Sequence, residues 1–130
     1  MNNKKLIFSL LTILLMCTAS FAQNIVQKKN DMTPVKTLNN LHDSTKSLSV
    51  NLLFKGIEGT TRSLQIKKGG LLLEHTTKTE ALLICVNGEV IFENEKKEKY
   101  TLKAGDYYHI EPNVKHWVKG IQDSQLLLLK

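Results

Sequence analysis

Residues 81–93 read Ala81-Leu82-Leu83-Ile84-Cys85-Val86-Asn87-Gly88-Glu89-Val90-Ile91-Phe92-Glu93. An apolar run, an Asn-Gly pair and an alternating run form the strongest short hairpin signal in a sequence. Asn and Gly both tolerate the positive φ of a type I′ turn. The same texture continues on both sides. Runs at 49–54, 61–67, 71–75, 99–102, 107–111, 116–119 and 125–129 are apolar or alternating, which makes nine with the two above. Between them lie Gly56, Gly59, Gly69-Gly70, Gly105-Asp106, Pro112-Asn113 and Gly120. Strands of about five residues, with no helical period of useful length, predict an all-β barrel or sandwich.

Two segments refine that picture. Residues 93–99 (Glu-Asn-Glu-Lys-Lys-Glu-Lys) are a charged run between strands and read as a solvated hairpin tip. Residues 126–129 are four consecutive leucines. An edge strand in water does not tolerate that, so both faces of this strand should be covered, by an N-terminal arm or by a second subunit. A core drawn from roughly 80 residues is marginal alone, which favours a homodimer.

Lys plus Arg is 18 and Asp plus Glu is 12, a net charge of +6. Residues 1–22 contribute Lys4 and Lys5 and no acid, so the remaining 108 residues carry 16 against 12, or +4. That is too little for a nucleic-acid partner, and Arg62 is the only arginine. With 130 residues, 42% hydrophobic and 23% charged, the chain is neither a multidomain enzyme, a polytopic membrane protein nor a disulfide scaffold.

The first 22 residues read as an address. Met1–Lys5 is positive, residues 6–17 are almost wholly apolar, and Ser20 and Ala22 supply the small side chains of a signal-peptidase site. Cleavage after Ala22 is expected, with export to the periplasm or beyond and no membrane span left afterwards. The apolar stretch falls short of the roughly 20 residues of a spanning helix, and Met16 makes Cys17 a poor lipidation site. Cys85 is then the only cysteine, unable to form an internal disulfide and expected as a small buried hydrophobe. Residues 23–46 are polar and aperiodic, a linker or mobile arm in which His42, beside Asp43, is expected to be solvated. The barrel domain is assigned to 47–130.

From Gly69 to Gly88 the chain carries Gly69, His75, Thr77, Ala81 and Gly88 at the spacing of the first motif of the cupin family, G-x5-H-x-H-x3–4-E-x6-G, which it resembles. From Gly105 to Gly120 it is similar to the second, G-x5-P-x-G-x2-H-x3-N. Gly105 and His116 match, Glu111 stands at the proline beside Pro112, Asn113 replaces a glycine and Gly120 the asparagine. The motifs and the span between them cover 52 of the 108 residues after Ala22. The resemblance implies a cupin jelly-roll barrel of eight or nine short antiparallel strands.

In metal-binding cupins three histidines and a glutamate hold iron, manganese, nickel or zinc inside the barrel. Here His75 and His116 occupy two of those positions, while Thr77 and Ala81 replace the other histidine and the glutamate. A divalent metal held by His75 and His116 alone would bind weakly. Glu74 and Glu80 have the wrong strand parity to stand in without a bulge, and alternation does not settle whether His109 or Tyr108 faces inward. Thr77, Tyr108 and Trp117 are the candidate ligand-binding residues, the aromatic pair as a flat lining for a small organic molecule. Two functions follow. One is a non-enzymatic or weakly metal-binding barrel that holds a small molecule, favoured by the lost ligand positions and by a length that leaves no room for a lid. The other is a metal-dependent cupin enzyme, a dioxygenase, isomerase or sugar-modifying protein, working through His75 and His116.

Overall fold

A computed structural model of the chain describes residues 35–130. The leader and the first part of the arm lie outside the described residues. Nine strands follow in order: β1 (Leu48–Lys55), β2 (Thr60–Ile66), β3 (Leu71–His75), β4 (Ala81–Asn87), β5 (Glu89–Asn94), β6 (Lys99–Lys103), β7 (Tyr107–Ile110), β8 (His116–Gly120) and β9 (Ser124–Leu129). Every expected run is a strand, with bounds within one residue, and the described residues contain no helix. The strands form two antiparallel sheets, β1-β2-β9-β4-β7 and β3-β8-β5-β6.

Alternation decides what each strand buries. The five-stranded sheet turns Leu64, Ile66, Leu83, Cys85 and Leu126 inward, and the four-stranded sheet answers with Val90, Phe92, Leu102 and Val118. Cys85 is buried and unpaired, as a small hydrophobe. Burial raises its thiol pKa. The leucine run lies in β9, a central strand flanked by β2 and β4. Leu126 is buried, and Leu127 and Leu129 are half-buried on the outer face beside Ile84 and Leu82.

The Asn87-Gly88 hairpin expectation is corrected. β4 pairs with β7 and β9, whereas β5 pairs with β6 and β8. The dipeptide therefore carries the chain from one sheet to the other. Only Gly88 has a positive φ, at 86°. Local sequence reports that the chain turns; the partner of each strand is set by distant residues. The charged run is a hairpin tip between β5 and β6, closed by Asn94, whose Oδ1 accepts from the Lys96 and Glu98 amides at 3.1 Å. Asn113 adopts the left-handed conformation (φ 63°) that lets it stand for a glycine.

The compact unit runs Thr37–Lys130, so residues 37–46 belong to it. His42 is not solvated, a second correction. It is half-buried against the outer face of the five-stranded sheet. Nδ1 lies 3.0 Å from Ser49 Oγ and 3.1 Å from Asn51 Nδ2, and Nε2 lies 2.7 Å from Ser63 Oγ and 3.3 Å from Gln125 Nε2. Hydroxyl and amide groups thus meet both ring nitrogens, and the ring is held in a polar cluster built from three strands. The groups facing the ring from β1, β2 and β9 are all neutral, and burial lowers its pKa below 6.5. The unfolded chain thus takes up a proton near pH 6.5 before the folded one does. The stabilisation is complete above that pH and is lost as pH falls through the lowered folded value. His42→Ala should cost about 1 kcal/mol at pH 7.5 and much less at pH 5, measured by denaturant unfolding. Equal costs at both pH values would show that the ring does not titrate with folding.

Candidate functional site

His75 ends β3 and His116 begins β8, and the two are Cα partners across a register shift in β3. Their ring centroids lie 4.3 Å apart at 59°. The backbone fixes both rings the same way. His75 Nδ1 is 2.8 Å from the Leu73 carbonyl oxygen, and His116 Nδ1 is 2.9 Å from that of Val114. A carbonyl only accepts, so each Nδ1 carries the proton and each Nε2 presents a lone pair. Neither Nε2 has a hydrogen-bond partner among the described residues. His116 is 1% exposed. Burial lowers its pKa, the Val114 carbonyl raises it and His75 lowers it further, a balance that favours the neutral ring.

Thr77 follows β3 and is buried. Its carbonyl accepts from the Asn113 amide at 2.7 Å, which ties the loop after His75 to the loop before His116. Its hydroxyl is buried with no hydrogen-bond partner among the described residues, a costly state for a polar group. Phe92 stacks on His116 (5.5 Å, 23°) and contacts Tyr108 at 4.4 Å, and Tyr108 meets Tyr100 at 5.1 Å. Five rings thus run in a row from His75 to Tyr100. The Tyr108 hydroxyl points to Glu98 Oε2 at 3.5 Å. Burial, ahead of the Glu98 charge, raises its pKa. Tyr108 also lines a cleft of about 330 Å³ with Tyr100 and Asp106.

The alternation left open by sequence resolves with Tyr108 and Ile110 inward. Tyr107 and His109 face out together, their rings 5.9 Å apart. Trp117 does not share the interior with the other two ligand-binding candidates, Thr77 and Tyr108. It lies between the buried His116 and Val118 and so faces away from the interior, its Nε1 donating to Glu93 Oε2 at 3.1 Å. Glu74 pairs with Lys115 at 3.2 Å on the outside, Glu80 is exposed and Ala81 is core. Sequence reading gave Arg62 no role. The register places it in one cross-strand row, Leu52–Arg62–Leu128–Leu83–Tyr108, on the face that turns Leu83 inward. Its parity with Leu64 was the available signal.

The four-ligand metal set does not fit this chain. Two imidazoles are oriented as ligands, but among the described residues no three His, Cys, Asp or Glu side chains converge. A neutral hydroxyl does not replace a carboxylate at these metals.

Comparison with known proteins agrees with the architecture. The cupin domain family matches residues 63–129, just over half of the chain. An RmlC-like cupin from Desulfovibrio desulfuricans superposes with TM-score 0.65 at 17% identity, covering 75% of this chain and 94% of that one. KdgF from a Halomonas species gives 0.60 at 18% identity over 71% and 89%. A conserved Streptococcus pyogenes protein of unknown function gives 0.59 at 14% over 75% and 95%. No curated protein matches the sequence. At these identities the structures bear on fold alone. Nine antiparallel strands in two facing sheets, two histidines meeting across β3 and β8, and the matching domain together place this chain in the cupin family.

Proposed function

We propose that this cupin is a non-enzymatic barrel that holds a small molecule bearing hydrogen-bond donors. One observation carries the reading: two Nε2 lone pairs and the Thr77 hydroxyl stand without partners beside the loop pair that joins His75 to His116. The buried Thr77 hydroxyl and the two open Nε2 lone pairs are matched by a ligand that brings donors, such as a hydroxyl or amine. Phe92 and Tyr108 supply flat contact area behind them. The basic, apolar, small-residue order of residues 1–22 supports a protein exported to the periplasm or beyond, with Gln23 as its first residue. N-terminal sequencing from native cells checks that start.

The site is tested by thermal shift against a panel of polyols, primary amines and hydroxy acids. Compounds that raise the melting temperature of the wild type should fail on His75→Ala and Thr77→Val. His75→Ala should cost under about 1 kcal/mol of stability, and Thr77→Val should be neutral or stabilising by a few tenths, because it removes an unsatisfied buried hydroxyl. A panel without a single hit ends this reading. Zinc and manganese titrations address the enzymatic alternative. Two imidazoles alone should bind either ion more weakly than about 1 μM, since structural and catalytic sites use three or four protein ligands. Submicromolar affinity lost in His75→Ala would move the function to metal-dependent chemistry.

A further inference from the structure

Arg62 stands where a charge is costly. Its parity on β2 is that of Leu64 and Ile66, both buried, so it occupies the inner face of the five-stranded sheet. Among the described strand residues it is the only half-buried Lys, Arg, Asp or Glu on an inner face. It joins none of the ion pairs among the described residues. A guanidinium that gives up part of its water without a counter-ion is paid for only by a partner that arrives later.

Strand geometry brings this charge to the histidines. A Cβ on Gly70 would lie 3.2 Å from Ile66 Cγ2, and one on Gly120 would lie 3.0 Å from it. The end of β2 therefore meets the start of β3 and the end of β8. From that corner Arg62 lies back along β2 from Ile66, His116 back along β8 from Gly120, and His75 forward along β3 from Gly70. The three offsets differ by at most one residue, so at about 3.3 Å per residue all three side chains reach one level of the barrel. Facing sheets are separated by about 10 Å. Tyr108, on β7, touches Phe92 and Tyr100 and so closes the flank away from Arg62.

We propose that Arg62 takes the carboxylate of the bound molecule, which makes the ligand a small hydroxy-monocarboxylate. The inference rests on the ligand-holding role of His75 and Thr77 and names the group at the ligand's other end. A planar guanidinium fork matches a carboxylate with two parallel hydrogen bonds. One guanidinium suits a single negative charge better than a phosphate dianion. No acid on the inner face repels it: Ala81 is core, Glu74 pairs outside with Lys115, and Glu80 is exposed. The Glu98 carboxylate is held at the Tyr108 end of the ring row, by Asn94 Nδ2 at 2.6 Å. Leu128 and Leu83, next to Arg62 in its cross-strand row, give the pair an apolar floor that strengthens it.

Isothermal titration of the purified protein with glycolate, lactate and glycerate, each beside its primary amide, tests this. The amide keeps the hydroxyls and the shape and loses the charge. At least one of these acids should bind the wild type about ten-fold or more tighter than its amide. Arg62→Met should bring acid and amide to the same affinity. Arg62→Lys should keep only part of the preference, because an ammonium lacks the planar fork. Both variants should hold the wild-type far-ultraviolet circular dichroism spectrum; should Arg62→Met not fold, Arg62→Lys and the wild-type pairs decide. An amide bound as tightly as its acid by the wild type, or a full preference surviving in the variants, overturns the role of Arg62 and leaves the His75–Thr77 reading standing. Failure of every acid and amide, with glycerol and the amines of the thermal-shift panel still binding, also overturns Arg62 alone. Failure of all of them removes both.

Discussion

Gly88→Ala is expected to unfold the domain or to lower its melting temperature by more than about 15 °C. Gly88 has φ 86° at the corner between β4 and β5, and a Cβ there would collide with the Asp123 carbonyl oxygen and Ser124 Oγ, and would lie 2.7 Å from Ser124 Cα. None of these can retreat cheaply. Ser124 is buried, and its hydroxyl accepts from the Glu89 amide at 3.0 Å and donates to the Gln122 carbonyl at 2.9 Å. Strain and clash together exceed about 3 kcal/mol, and about 1 kcal/mol corresponds to 4–8 °C in a domain of this size. Two companions separate the causes. Gly69→Ala meets a φ of 77° but nothing within 4 Å, and should cost about 1–2 kcal/mol from backbone strain alone. Gly120→Ala needs no positive φ but drives a Cβ into the Lys67 carbonyl oxygen, and should cost more than Gly69→Ala. Reversing that order in thermal denaturation would show that the corner, not the clash, sets the cost.

Phe92→Ala should destabilise the protein by about 3–5 kcal/mol, the range for emptying a buried aromatic position. Phe92 is the largest of the fully buried side chains and stands between His116 and Tyr108. Its loss would open a cavity behind the His116 ring, so small-molecule protection of the site should disappear with the stability. Tyr100→Ala lies at the open end of the same ring row, 43% exposed, and should cost under about 1.5 kcal/mol. Equal costs at 92 and 100 would mean that the row is not anchored at its buried centre.

The strands were legible because each depends on residues within a few positions of one another, and alternation and turn residues report that scale directly. Pairing was not legible. Asn87-Gly88 has the chemistry of a hairpin, yet the partners of β4 are β7 and β9, more than 20 residues further along. His42 looked solvated because its own neighbours are polar; its partners Ser49, Ser63 and Gln125 come from three strands. The site was half legible. Spacing named His75, His116 and Thr77, and parity rightly turned Glu74 away. Trp117 neighbours the second motif in sequence, but its parity is opposite to that of His116, which turns it outward. Arg62 was overlooked because inward polar residues on β2 carry no motif.

Trp117 is the only tryptophan in the chain, and its indole sits outside the four-stranded sheet against Glu93, which also pairs with Lys99 at 3.0 Å. The intrinsic fluorophore is therefore screened from the barrel interior by the sheet itself. Its emission will report salt and pH at the Glu93–Lys99 surface, and a molecule entering beside His116 will leave it unchanged. The interior needs its own optical reporter, and the ring row from Tyr100 to Phe92 provides one in the near-ultraviolet dichroism of Tyr108.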